Sequence, residues 1–161
     1  MNSTQSLFSL GALLLFSLIS MRFNSTLLEN STVETENKVY LTAFSLADDL
    51  IEEIKQKAFD AATVKFPTTN PEDLTPADNL GHAYGEVYPN YNDIDDFNGY
   101  VRPVSAPHAE NYSVICEVCY VDADNPDQKV MTQTFYKRVR VTITSPYMRS
   151  PIVLSMIFTL K

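Results

Sequence analysis

Tryptophan is absent from the 161 residues, glycine occurs only four times and cysteine twice. Two cysteines exclude a fold built on disulfides; one bridge at most could form, and none is assigned. Basic residues are also in the minority, 12 against 20 acidic, for a net charge of −8 and a pI near 4.6. A nucleic-acid partner is therefore not expected, because duplex binding rests on lysine and arginine neutralising phosphates. No glycine-rich phosphate loop and no G-x-S-x-G are present, and the two histidines have no evident nucleophile beside them. No enzyme is expected. What is present argues for a folded chain. Apolar residues make up 45% and charged residues 20%, and the length suits one globular unit.

Glycine and proline also divide the chain by where they are missing. Neither occurs in residues 12–66, whereas 67–111 hold six of the nine prolines and three of the four glycines. A helix can run uninterrupted only through the first of these stretches. Its start is apolar, with Leu7, Phe8, Leu10, Leu13, Leu14, Leu15, Phe16, Leu18 and Ile19 and no charge before Arg22. A membrane-spanning helix needs about 20 such residues, down to ~17, so this run stands at the short end. A cleaved secretory signal is not expected, since no basic region precedes Leu7 and no small-x-small site follows the run. From Lys38 the pattern turns amphipathic. Val39, Ala43, Leu46, Ala47, Leu50, Ile54 and Ala58 recur in steps of three and four on one helix face. A helix from about 6 to 62 would be ~85 Å long, too long to bury at both ends. Its N-terminal half is expected to enter a membrane or to lie against other subunits.

The C-terminal segment has period two. Tyr112, Val114, Cys116, Val118 and Tyr120 alternate with their neighbours, as do Val139, Val141 and Ile143 with Arg138, Arg140 and Thr142. Ile152, Leu154, Met156, Phe158 and Leu160 form the apolar face of a last strand. The fold class expected is α+β: a long N-terminal α-helix packed on a small antiparallel β-sheet. Residues 1–37 would be the apolar helix half, membrane or filament core. Residues 38–161 would be a globular head with an amphipathic helix half (38–62), a variable loop (67–111) and the sheet (112–161).

Few residues suggest site chemistry. Cys116 and Cys119 form a C-x-x-C that could hold zinc with His82 and His108. In a strand, however, residues three apart face opposite ways, so buried thiols are the plainer reading. Asp93, Asp95, Asp96 and Asn98 offer the oxygen ligands that calcium favours, making calcium the one cofactor considered. Aligning Gly99 with the invariant EF-hand glycine puts Ile94 and Ser105 where ligands belong, so the alternative is an Asx-rich turn. Tyr84, Tyr88, Tyr91 and Tyr100 stud the loop, either as contact residues or as packing. N-glycosylation patterns begin at Asn2, Asn24, Asn30 and Asn111.

Gln5-Ser6-Leu7-Phe8-Ser9-Leu10 looks like the start of a mature pilin-like subunit. Residues Tyr136 to Thr144, followed by Ile152-Val153-Leu154-Ser155, look like a closing hairpin of minor pilins and pseudopilins. The Asp93–Tyr100 segment is similar to an acidic turn found in some of them. With its order of elements, the chain resembles the type IV pilin and type II secretion pseudopilin superfamily, in a minor-pilin-like form with a divergent N-terminus. That resemblance implies a structural subunit of a pilus-like or pseudopilus filament, assembling through its apolar helix. Its partners would be copies of itself or other pilin-like subunits, with the membrane as its place before assembly. Its location would be a surface filament, or the inner membrane facing the periplasm or exterior. Thr4 stands where the family usually has glycine before the cleaved bond, and Ser9 where it usually has glutamate. The alternative is a single-pass, membrane-anchored extracytoplasmic binding module that does not polymerise.

Overall fold

The computed structural model describes residues 3–106 and 109–160. One α-helix, α1, runs from Ser3 to Ile54, and four strands follow: β1 (Val101–Ala106), β2 (Ala109–Tyr120), β3 (Tyr136–Thr144) and β4 (Ile152–Thr159). The sheet is an antiparallel meander in the order β1-β2-β3-β4. The fold is α+β. The chain divides into two compact units, the first ending at Lys38 and the second starting at Val39.

In the first unit α1 carries polar hydroxyls that it satisfies internally. Ser9, Thr26, Thr32 and Thr35 each donate to the carbonyl four residues back, at 2.9–3.0 Å. Each hydroxyl shares a carbonyl that also accepts a ladder amide, which satisfies the side chain at a small cost to the helix.

In the second unit the face foreseen from Val39 onward is the buried one: Val39, Ala43, Ala47, Leu50, Ile51 and Ile54. It covers the inward residues of β2 (Tyr112, Val114, Cys116, Val118, Tyr120) and of β3 (Val139, Val141, Ile143). Ile152, Leu154, Met156 and Phe158 of β4 are partly buried against the same core. Tyr112 Oη donates to the Val39 carbonyl at 3.2 Å, and Tyr40 Oη accepts from the Arg149 and Ser150 amides at 3.1 Å. Ala43 and Ala47 are wholly buried, so small side chains set how closely helix and sheet approach. Enlarging one overpacks that seam, at a typical cost of about 1–3 kcal/mol. Ala47→Leu is expected to lower the unfolding free energy from urea titration by that amount, whereas Ala→Leu at an exposed helix site would be near neutral.

Two boundaries differ from the pattern-based expectation. The helix stops at Ile54 rather than near 62. The Ala58 amide donates to the Asn92 carbonyl at 3.2 Å, and the Ala58 carbonyl accepts from the Ile94 amide at 2.9 Å. Asp60 is then extended (φ −156, ψ 151) and caps a one-turn 3-10 helix at Ala61–Thr63. Tertiary pairing ends this helix without help from glycine or proline. The segment read as loop over 67–111 also contains all of β1 and the start of β2. Pro103 sits in β1, an edge strand, where a missing amide donor is tolerated.

Candidate functional site

Lys137 is the feature that composition and motif left unnoticed. It lies on β3 opposite Tyr120 of β2, two residues before Val139, and so on the inward side of the sheet. It is completely buried, and its carboxylate neighbours Asp60 and Asp95 are 0% and 1% exposed. Lys137 Nζ donates to Asp60 Oδ2 at 2.6 Å, to the Phe59 carbonyl at 2.9 Å and to Asp95 Oδ1. Its three protons are thus all placed. The rings of Phe59 and Tyr120 flank the ammonium, with centroids at 4.6 and 5.0 Å.

The two carboxylates are held very differently. Asp60 accepts from the Ala62 amide (3.0 Å), the Thr75 amide and hydroxyl (3.0–3.1 Å) and Tyr120 Oη (2.9 Å), besides Lys137. Burial alone would raise its pKa. The Lys137 charge and these hydrogen bonds outweigh burial and hold it at about 2. Asp95 has one oxygen on Lys137, while its Oδ2 is buried with no partner. There burial wins over Lys137, helped by the charges of Asp60 and Asp93, and Asp95 is pushed up to about 7. Burial and the Asp60 carboxylate also push the Tyr120 phenol up, keeping it a neutral donor.

The four residues expected to offer calcium ligands make hydrogen bonds within the fold. Asp93 Oδ1 accepts from the Asp95 amide at 2.8 Å, and Asp96 Oδ2 accepts from the Asn92 amide at 2.8 Å. Asn98 donates to the Leu80 carbonyl at 2.9 Å and accepts from the Val118 amide at 3.0 Å. Asp95 faces Lys137. This is the Asx-rich turn of the alternative reading, pinned to β2. Among the described residues no group of three or more His, Cys, Asp or Glu side chains is arranged to hold a metal ion.

The turn does carry a pH dependence. Burial, reinforced by the Asp96 carboxylate, pushes Asp93 up from 3.8 to about 6. A carboxyl raised on folding contributes stability that is present below its unfolded value and lost as pH rises through its folded one. The melting temperature is expected to fall as pH rises from about 4 to about 7, through Asp93 and Asp95 together, and Asp93→Asn to remove the Asp93 share, which ends near 6. Asp60 has the opposite sign. Its contribution is present above 3.8 and is lost as pH falls toward about 2. A pH series of thermal melts on parent and variant checks both limbs.

Cys116 faces the core and Cys119 the opposite side of the sheet; both are buried free thiols. Burial, with the Glu117 charge, pushes the Cys116 thiol up to about 12, so it is unreactive. Arg138 reaches Cys119 Sγ at 3.6 Å and donates to the Asp127 carbonyl at 2.7 Å. His82 is exposed and stacks on Tyr91 (centroids 5.9 Å apart), and His108 lies outside the described residues. Tyr88, Tyr91 and Tyr100 pack with one another, Tyr91 and Tyr100 also on Phe97, and Tyr88 Oη donates to Glu53 at 3.0 Å. Three of the four loop tyrosines therefore fasten the loop, and only Tyr84 stands fully exposed.

The apolar part of α1 is the other candidate site. Leu7, Phe8, Leu10, Leu13, Leu14, Leu15, Phe16, Leu18 and Ile19 are each 61–81% exposed, and Met21 and Phe23 continue the surface. A helix apolar on every side belongs in a lipid or protein interior. By length and composition α1 can cross a membrane.

No protein-family model matches this chain, nor does any curated protein or solved structure. The class is defined by the fold alone. A long N-terminal helix whose C-terminal part packs on a small antiparallel sheet is compatible with a pilin-like fold.

Proposed function

We propose that this chain is a structural subunit of a pilus-like or pseudopilus filament, held before assembly in a membrane by the apolar half of α1. One observation carries the reading: α1 is unbroken from Ser3 to Ile54, apolar on all sides at its start and built into a head at its end. A tether needs no such continuity, whereas a filament subunit uses one helix for both roles. In lipid the helix satisfies its own backbone, so the monomer is stable there. During assembly, lipid contacts are exchanged for helix–helix contacts, which rest on close van der Waals packing.

Intact-mass spectrometry of the sheared, pelleted surface fraction, with cell membranes as comparison, tests the reading. An abundant species in the sheared fraction supports a filament subunit, and its mass reads any processing near Thr4. A species found in membranes alone favours the anchored binding module.

A further inference from the structure

We propose that Lys137 and Asp95 condense with each other into an intramolecular amide, with Asp60 relaying the proton, so that the folded head carries a covalent bridge from β3 to the 93–98 turn. The inference does not depend on the filament reading.

The case rests on the arrangement around Lys137. A nucleophilic nitrogen, a carboxyl carbon and a second carboxylate meet in a pocket closed by Phe59 and Tyr120, all three side chains shielded from water. Lys137 Nζ touches both carboxylates. Holding an amine against a carboxyl in this way replaces an encounter in solution by effective molarities of about 10⁵ M and upward. Condensation also removes a buried cation and a buried anion, whose desolvation is otherwise borne by the fold.

The hydrogen bonds assign the roles. Asp60 is gripped by Ala62, Thr75 and Tyr120, a set that stabilises its carboxylate and fixes it beside Nζ. Asp95 has no comparable grip. Its Oδ2 has no partner, so nothing in the pocket holds that oxygen in place. Asp95 is thus the acyl carbon and Asp60 the base. Asp93 is excluded as the acyl partner because its Oδ1 is fixed by the Asp95 amide and it makes no hydrogen bond to Lys137.

The step balances without a co-reactant. The ammonium passes one proton to the Asp95 carboxylate. The freed lone pair on Nζ forms a bond to Asp95 Cγ. Asp60 accepts a second proton from nitrogen and delivers it to the departing oxygen, and the Cγ–O bond breaks as water leaves. One N–H remains on the amide, Asp60 ends ionised as it began, and no atom changes oxidation state.

The test is a peptide map of the full-length chain, extracted in detergent and fully denatured before digestion. A branched peptide joining the Lys137 and Asp95 segments, lighter than their sum by one water, is expected. Lys137→Arg and Asp95→Ala should each give only linear peptides of sequence mass, and Asp60→Asn should give mostly linear ones. Linear peptides from the parent chain overturn the proposal, as does a branch at Asp60. A water loss that persists in Lys137→Arg also overturns it, since dehydration would then lie elsewhere. The parent digest decides the question even if a variant fails to fold.

Discussion

Leu13→Arg is expected to remove the subunit from the sheared fraction while leaving the head folded. Leu13 is 65% exposed, so its replacement disturbs no core contact. An arginine at the centre of a membrane helix costs about 2.5–3.5 kcal/mol on insertion scales, and in a packed helical core it would be a buried charge without a partner. Either penalty lowers the assembled population by a factor of about 100. Quantitative immunoblots of sheared and membrane fractions read the loss, and the urea midpoint of the purified variant should match the parent. Leu13→Ala, which keeps the surface apolar, should assemble. Normal filaments containing the arginine variant would refute the filament reading.

Asp60→Ala should have the largest effect on stability. The substitution deletes the cap of the Ala61–Thr63 turn, both Thr75 contacts and the Tyr120 acceptor, and leaves Lys137 buried with Asp95 alone. Breaking a buried ion pair from one side costs about 3–5 kcal/mol. A domain of ordinary stability, about 5–15 kcal/mol, loses about a fifth of it or more. Asp60→Asn keeps the geometry and two acceptor lone pairs but not the charge, so it should fall between parent and alanine variant. Equilibrium urea unfolding ranks the three, and an alanine variant as stable as the parent would contradict the role given to this carboxylate.

The major elements were legible because they rest on local periodicity. The helix face from Val39 to Ile54 and the inward rows of β2, β3 and β4 follow from steps of 3.6 and 2. What local pattern could not supply was pairing between distant segments. The Ala58–Asp93 bridge ends α1 early, and β1 forms around Pro103 because β2 is there to receive it. The buried lysine was half legible. Counting back by two from Val139 puts Lys137 inside, and a lysine there demands carboxylate partners. The partners themselves, 77 and 42 residues away, leave no local trace. The acidic turn was legible by residue type alone. Its residue types suit a cation, and the cation it holds is a side chain from β3.

The place of that lysine also bears on how a pull on the helix would travel. Phe59 and Asp60 follow the end of α1 by only a few residues, and both are fastened to β3, an inner strand paired on each side. Tension arriving at the helix end is handed to β3, which β2 and β4 hold on either side. The 61–94 stretch lies beside that load path but is tied to the same joint, because Thr75 grips Asp60 and Asp93 pairs with Ala58.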